Sequence, residues 1–160
     1  SSLSEIAENQ IQPNAIDLKL DRVWMLDPTS AFSISEDKKE QRNKIEVLPD
    51  KNGYFRFNPG VTYEVTFEGV ITIGPDEAGF VITRSTLNRN GMFFTSGLYD
   101  SGYSGSMAGA LHNNGGHSHI KKGTRVAQFL LWKAQSLKQY EGSYGFTKDG
   151  IVKNDEKQYH

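Results

Sequence analysis

The 160-residue sequence contains no cysteine, which excludes disulfide bridges and thiolate metal sites. It also lacks an apolar run of membrane-spanning length and a signal-peptide pattern at its start, which predicts a cytoplasmic protein with no membrane partner. The formal net charge is only −1, from 18 basic and 19 acidic residues. This balance argues against a nucleic-acid polymer as the main partner, but a few local groups could still hold a small phosphate ligand.

Helical periodicity is scarce as well. After a candidate opening helix over Ser4–Asn9, no segment of useful length has a helical period. Short segments with alternating apolar residues follow instead, separated by turn formers, and the clearest runs from Val61 to Phe67. Many short strands at near-regular spacing predict an all-β fold, a sandwich or jelly roll. The hydrophobic content of 36% supports one core.

The first strand signal is an alternation from Ile16 to Leu20. The apolar residues Ile16, Leu18 and Leu20 are predicted to face the core. The alternation places the charged residues between them, Asp17 and Lys19, on the outward face. Residues 27–44 are polar and charged, and we interpret them as a long solvated connection or an insertion.

A glycine-rich stretch, Gly97–Gly105, carries the clearest chemical signal. Apolar segments flank it, so it predicts a β-hairpin whose peptide groups face outward at the tip. Such a tip could hydrogen-bond the edge of a nucleobase, while Asp100 could take a proton from water and the Tyr103 ring could pack under a sugar. An ordinary glycine-rich hairpin is the alternative.

Two further stretches suit anionic ligands. Arg84 precedes two hydroxyl residues, Ser85 and Thr86, and this set could hold phosphate oxygens. The alternative is a capped single helical turn with solvated arginines. Gln128 is predicted on the core-facing side of its strand together with Val126, so it is either a satisfied buried amide or a ligand contact.

The C-terminal region and one histidine pair leave alternatives open. Residues 141–160 are predicted to be a mobile arm behind a domain of residues 1–140, and the arm either closes over a bound base or is a frayed tail. His117 and His119 would lie on one side of an extended backbone, as a metal pair requires. No further ligand lies near them in sequence, which favours a plain surface turn.

Five stretches occur in a fixed order that resembles the dUTPase and dCTP deaminase superfamily. The second, third and fourth are close to the family's patterns, the first has Ile16 where dUTPases have glycine, and the fifth has Lys148-Asp149 in place of a Ser-Thr pair. The stretches are Ala15–Leu18, Arg84–Leu87, Gly97–Gly105, Gly123–Gln128 and Gly142–Gly150.

This resemblance implies a distorted β jelly roll that forms a homotrimer with sites shared between subunits. It implies hydrolysis of dUTP to dUMP and pyrophosphate by water attacking the α-phosphate, with Mg²⁺ bridging the phosphates. Asp100 would orient the water and hold the 3′-hydroxyl, and Asp17 would touch the metal only through its waters.

The remaining roles follow from the same resemblance. Peptide groups from Thr95 to Leu98 would read the base edge, Tyr103 would lie against the sugar, and Phe146 would stack on the base. Arg84, Ser85 and Gln128 would hold phosphates from a second subunit, with Lys148 as a point charge. The implied substrate-binding set is Arg84, Ser85, Thr86, Thr95, Gly97, Leu98, Tyr103, Gln128, Phe146 and Lys148.

The rival reaction within the superfamily is dCTP deamination, alone or combined with dUTP hydrolysis. Deamination needs a glutamate near the end of the strand after the hairpin, and Ala110 stands at that position. A methyl group cannot move protons. Arg89, however, matches an arginine of the deaminase branch. A nucleotide-binding regulator without catalysis is a third alternative, and the pattern leaves open uracil, cytosine or a modified pyrimidine.

Overall fold

The computed structural model describes residues 1–137 and 139–141, and about half of that part is β-strand. The described helical elements are a 3-10 turn at Glu8–Gln10 and one α-helical turn, α1, at Ser85–Asn88. None of the described helices is long and apolar enough to cross a membrane. The strands are β1 (Ser2–Leu3), β2 (Ile16–Leu26), β3 (Ser33–Ile34), β4 (Lys39–Glu40), β5 (Lys44–Val47), β6 (Tyr54–Phe57), β7 (Thr62–Thr72), β8 (Glu77–Thr83), β9 (Met92–Thr95), β10 (Ser104–Asn113), β11 (Ser118–Lys121) and β12 (Arg125–Lys133).

Eight of these strands form one antiparallel sheet that nearly closes on itself. The order is β8-β12-β2-β7-β10-β9, with β1 added to β7 and β5 added to β2. Its two ends meet where the Gly79 N–H donates to the Tyr99 carbonyl at 3.0 Å and the Tyr99 N–H donates back at 2.7 Å. A side chain at Gly79 would come within 2.5 Å of the Leu130 carbonyl oxygen, so the close approach requires glycine. The predicted all-β jelly-roll class is confirmed.

The core lies inside this curved sheet and follows the predicted alternation. Tyr63, Val65 and Phe67 of β7 are at most 1% exposed, whereas their neighbours on the strand face the opposite side. Burying side chains of this size contributes about 1.5–3 kcal/mol each. The other largest buried side chains are Phe55, Phe57, Phe129, Leu18, Leu20, Ile73, Met107, Leu111 and Val23.

The predicted opening helix is wrong, because tertiary contacts hold Ser4–Asn9 in another conformation. The Ser4 N–H donates to the Val70 carbonyl at 3.0 Å, and the Val70 N–H donates to Ser4 Oγ at 2.9 Å. Gly69 makes this approach possible, since its φ is +94° and a side chain there would come within 2.6 Å of the Ser4 carbonyl oxygen. The 3-10 turn at Glu8–Gln10 is the helical remnant of the segment.

The polar segment 27–44 also has more structure than predicted. It contains a small hairpin, in which β3 pairs with β4, before the chain enters β5. Phe32, Lys39 and Arg42 from this segment border a cleft on the outer face of the main sheet.

Candidate active site

The cleft on the outer face of the sheet has a volume of about 1560 Å³. The connection between β9 and β10 forms one wall, and residues between 24 and 46 form the opposite wall. Such a volume is more than enough for a nucleotide. Five predicted site residues border this cleft: Thr95, Gly97, Leu98, Asp100 and Tyr103.

The floor of the cleft is one row of side chains across five neighbouring strands. By register the row contains Glu46 of β5, Trp24 of β2, Glu64 of β7, Ala110 of β10 and Thr95 of β9. All five border the cleft, and on the central strands β2, β7 and β10 alternation places buried residues on the opposite face. The methyl group of Ala110 therefore lies between a hydroxyl on one side and a carboxylate on the other.

Two buried tyrosines anchor the loop 96–103. The Tyr99 hydroxyl donates to the Ala108 carbonyl at 2.9 Å and accepts from the Ala108 N–H at 2.8 Å. The Tyr103 hydroxyl donates to the Ser106 carbonyl at 2.6 Å. Burial raises the pKa of Tyr99 to about 12 and also raises the pKa of Tyr103, so both phenols keep their protons and these bonds. The two tyrosines thus fix the loop to the backbone of β10.

Polar groups at the loop tip point away from these anchors. The Asp100 carbonyl accepts the Tyr103 N–H at 3.1 Å, and Gly102, with φ +86°, completes the turn. The Asp100 side chain is exposed at the edge of the cleft. Within the described part of the chain, no acceptor takes the peptide N–H of Gly97 or Leu98. An exposed carboxylate residue and two residues whose peptide N–H groups have no described acceptor therefore border the same cleft.

A second set of predicted residues gathers around Asp17, which is 0% exposed. Its Oδ2 accepts from Gln12 Nε2 at 3.1 Å and from Arg125 Nη1 at 3.2 Å, and its Oδ1 accepts from Gln128 Nε2 at 3.1 Å. Arg84 Nε lies 3.7 Å from Oδ2. We call these five residues the arginine cluster.

Asp17 lies on the outward face of its strand, as the alternation predicts, but it is buried there. The turn Glu8–Gln10 and the cluster cover it, and Gln10 Nε2 donates to the Asp17 carbonyl at 2.9 Å. Both carboxylate oxygens accept hydrogen bonds, and these contacts orient Arg84 and Arg125. The water-mediated contact of Asp17 with a metal ion stays a prediction.

The arginine cluster has the charge and the donors for an anionic ligand. Two guanidinium groups against one carboxylate leave an excess positive charge, and the Arg84 side chain is 33% exposed. Arg84 Nη1 donates to the Arg125 carbonyl at 3.1 Å, whereas no described acceptor takes Nη2. Ser85 and Thr86 lie exposed beside it on α1. This combination suits phosphate oxygens.

Gln128 reaches the cluster because of a β-bulge that the sequence did not indicate. The register with β2 shifts between Arg125 and Ala127, so Val126 and Ala127 both enter the core. The prediction that Gln128 shares the core-facing side with Val126 is therefore wrong. Gln128 lies on the opposite face, directly across from Asp17.

The cleft and the arginine cluster are separate in a single chain. Among the described residues, no member of the cluster borders the cleft, nor do Ser85 or Thr86. The structure thus brings the predicted residues together in two groups rather than one.

Comparison with known proteins identifies the family. The model of the dCTP deaminase-like family matches residues 2–134. The chain belongs to this family. A protein of Methanopyrus kandleri named "Probable deoxyuridine 5′-triphosphate nucleotidohydrolase" is 33% identical over 143 residues, covering 88% of this chain and 91% of that protein. The deoxyuridine 5′-triphosphate nucleotidohydrolase of Methanocaldococcus jannaschii is 30% identical over 141 residues, covering 87% and 89%.

Solved structures share the fold of this dCTP deaminase-like chain. The 2′-deoxycytidine 5′-triphosphate deaminase of Agrobacterium tumefaciens superposes with a TM-score of 0.63 at 14% identity, over 92% of this chain. The chain spans about half of that deaminase, 46% of its length. A point mutant of the dUTPase of Staphylococcus bacteriophage 80alpha, solved with dUpNHpp, has a TM-score of 0.53 at 14% identity, over 88% of this chain and 95% of the other.

Sequence reasoning missed several residues of this family member's candidate site. Arg125 lies inside the predicted stretch Gly123–Gln128, which was the available signal, but its contact with Asp17 depends on the pairing of β12 with β2. Trp24 and Glu64 border the cleft only because of strand register, which the sequence does not reveal. His112 contacts Thr95 for the same reason.

The predictions for the C-terminal region and for the histidine pair have different outcomes. Phe146 and Lys148 lie outside the described residues, so their roles and the arm of residues 141–160 stay predictions. His117 and His119 are both exposed, His117 just before β11 and His119 within it. The described residues contain no group of three or more His, Cys, Asp or Glu side chains placed to hold a metal ion.

The central carboxylate of the arginine cluster is expected to stabilise the fold. Replacing Asp17 with Ala leaves two guanidinium groups facing each other and removes an acceptor from Gln12 and Gln128. We expect a loss of about 3 kcal/mol in the free energy of unfolding, the low end for a broken buried pair because the arginines are a third exposed. Urea denaturation at one protein concentration measures it.

The matched control is Glu46→Ala, which removes a bidentate ion pair with Arg22 at 3.0 Å on the exposed face. Such exposed pairs contribute less than about 1 kcal/mol. An Asp17→Ala midpoint no lower than that of Glu46→Ala would contradict a structural role for the cluster.

Proposed function

We propose that this protein hydrolyses dUTP to dUMP and pyrophosphate. The observation that carries the proposal is the cleft, which presents an exposed carboxylate, Asp100, next to the free peptide donors of Gly97 and Leu98. The names of the relatives from Methanopyrus kandleri and Methanocaldococcus jannaschii support the same activity.

In the proposed reaction, the base lies against the strand of Thr95 and its edge meets the peptide groups up to Leu98. The uracil carbonyl oxygens would accept hydrogen bonds from those N–H groups, which have no partner in the described part of the chain. The buried Tyr103 ring, fixed through its hydroxyl, would form the surface under the deoxyribose.

Asp100 is the general base of this proposal. Its carboxylate would accept a proton from the water that attacks the α-phosphorus, and the bond from that phosphorus to the bridging oxygen would break. The electron pair leaves with pyrophosphate, and dUMP keeps the attacking oxygen. A positioned base typically accelerates such a step by about 10²–10⁴.

The triphosphate would be held by the arginine cluster together with Ser85 and Thr86. Arg84 and Gln128 each retain a donor beyond their contacts with Asp17 and Arg125. Magnesium would enter with the substrate, as Mg–dUTP, and would neutralise charge on the phosphates. Asp17 would contact the ion only through its bound waters, using the lone pairs that its hydrogen bonds leave free.

We further propose that the protein is a homotrimer in which the cleft of one subunit meets the arginine cluster of another. Support comes from the separation of the two groups in the chain, because a phosphate-binding cluster that borders no cleft needs a cleft from elsewhere. An apolar surface adjoins the cluster: Phe80 and Trp132 are 37% and 40% exposed, with ring centroids 5.4 Å apart. Burying such aromatic area would favour association.

Mixing two inactive variants tests the shared site. Asp100→Asn damages only the cleft, and Arg84→Ala damages only the cluster. After co-assembly of equal amounts, we expect about a quarter of the sites to combine an intact Asp100 with an intact Arg84. Pyrophosphate release should therefore recover to about a quarter of the unmodified rate per site.

The controls are each variant alone and the two variants mixed without subunit exchange. A site built within a single chain would give no recovery after exchange, because every site would lack one of the two groups.

The activity itself is tested with the unmodified protein. The four common deoxynucleoside triphosphates and dUTP are each incubated with Mg²⁺, and pyrophosphate and ammonia are assayed separately. We expect pyrophosphate from dUTP only when Mg²⁺ is present. Absence of pyrophosphate from dUTP under conditions where the protein binds the nucleotide would favour a regulator without catalysis.

A further inference from the structure

His112 lies next to the cleft but belongs to none of the five stretches from which the resemblance was built. It is half-buried on β10, two residues after Ala110. Its ring stacks on Phe93 with centroids 4.9 Å apart and an interplanar angle of 24°. Both ring nitrogens contact hydroxyls: Nδ1 lies 3.1 Å from Thr62 Oγ1, and Nε2 lies 2.9 Å from Thr95 Oγ1.

These contacts couple the imidazole tautomer to the hydroxyl of Thr95. A neutral imidazole donates through one nitrogen and accepts through the other. If Nε2 carries the proton, it donates to Thr95 Oγ1, Thr62 donates to Nδ1, and the Thr95 hydrogen is free to donate into the cleft. If Nδ1 carries the proton, Thr95 must donate to Nε2 and can offer the cleft only its lone pairs.

The two arrangements suit different bases. Uracil has a carbonyl acceptor at its 4-position, as thymine does, whereas cytosine has an amino donor there. A Thr95 that donates matches the carbonyl, and a Thr95 that only accepts matches the amine.

We infer that His112 is a specificity-determining positioning residue, which directs the Thr95 hydroxyl toward a carbonyl at the 4-position and so favours uracil over cytosine. This rests on the proposed function, because it requires the base to lie beside Thr95. Thr95 borders the cleft and is the register partner of Ala110, so a base on the floor there lies within reach of its hydroxyl. His112 acts only through Thr95, since it does not itself border the cleft.

The inference is tested by binding, with imido analogues such as dUpNHpp and its cytosine counterpart so that hydrolysis plays no part. His112→Phe keeps an aromatic ring against Phe93 but removes both hydrogen bonds. We expect the preference for the uracil analogue to fall by about five- to tenfold, the effect of one directed hydrogen bond. Thr62→Val, which removes only the Nδ1 partner outside the cleft, should lower the preference by less.

A spectroscopic measurement separates this role from a structural one. In the unmodified full-length protein, ¹⁵N NMR of the imidazole should show Nε2 protonated in the dUpNHpp complex, with the signal assigned by its loss in His112→Phe. The inference would be overturned if His112→Phe weakened the binding of both analogues equally or left the preference for the uracil analogue unchanged. It would also be overturned if Nδ1 of His112 carried the proton in the dUpNHpp complex. If His112→Phe does not fold, Thr62→Val and the tautomer measurement decide. Failure of the proposed function would give a different result from failure of this inference. In that case the unmodified protein itself would neither prefer nor hydrolyse the uracil nucleotide.

Discussion

Replacing Asp100 with Asn is expected to slow dUTP hydrolysis by about 10²–10⁴, while substrate binding changes little. Asparagine keeps the shape of the side chain and can still hydrogen-bond, but it accepts no proton from water at neutral pH. Because Asp100 is exposed and its structural contact is made by its carbonyl, the variant should fold normally. Single-turnover release of pyrophosphate measures the chemical step directly.

The matched control is Asp76→Asn, another exposed carboxylate in a turn, which borders neither the cleft nor the arginine cluster. Both variants should have the thermal midpoint and oligomeric state of the unmodified protein. Near-normal turnover of Asp100→Asn would remove this residue from the mechanism. A loss of activity in both variants would point to a general effect of charge.

Local pattern was enough to predict the class of fold and several of its strands. The alternation predicted from Val61 to Phe67 continues through β7, where Tyr63, Val65 and Phe67 lie in the core. Pattern could not show that β7 continues to Thr72 through Gly69, because this part of the strand pairs with β1 and lies close to Ser4, both distant in sequence. The same contact explains the missing opening helix. Long-range packing therefore decided the cases in which local propensity failed.

Some features of the candidate site were likewise predictable from local sequence, and others were not. The turn around Asp100 was predictable, since glycines mark it and its tyrosines are local anchors. The burial of Asp17 was not, because it depends on Arg84 and Arg125, which come from distant stretches of the chain. The face of Gln128 was missed because a bulge shifts the alternation by one residue, and nothing in its strand marks the bulge.

The second large effect concerns the reaction type: the unmodified protein is expected to release no ammonia from dCTP. Deamination needs a group near the base that carries protons between water and the leaving amine, and Ala110 has only a methyl group. Its position on the cleft floor, beside Thr95, is where such a group would be needed. A coupled ammonia assay with dCTP and Mg²⁺, run beside the pyrophosphate assay with dUTP, measures the difference.

Neighbouring side chains do not replace the missing acid. Glu64 is the register partner of Ala110, but its Oε2 accepts from Lys44 Nζ at 2.7 Å, and that ammonium lies 5.1 Å from the Trp24 ring. The ion pair holds the carboxylate toward Lys44 of β5, on the side away from Thr95. His112 shares the face of Ala110 but lies nearly 7 Å further along the strand, at about 3.3 Å per residue, with both nitrogens engaged.

Introducing a carboxylate at position 110 tests whether the missing acid is what prevents deamination. Ala110→Glu would place a second carboxylate directly across from Glu64, and like charges in such a pair destabilise a sheet by about 0.2–1 kcal/mol. The double variant Ala110→Glu with Glu64→Gln removes that repulsion while it keeps the new acid on the cleft floor. We expect any gain of ammonia release to be larger in the double variant than in the single one, with Glu64→Gln alone remaining inactive on dCTP. Measurable ammonia from the unmodified protein would overturn the assignment and favour a deaminase, whereas its loss in Glu64→Gln would identify Glu64 as the acid that Ala110 lacks.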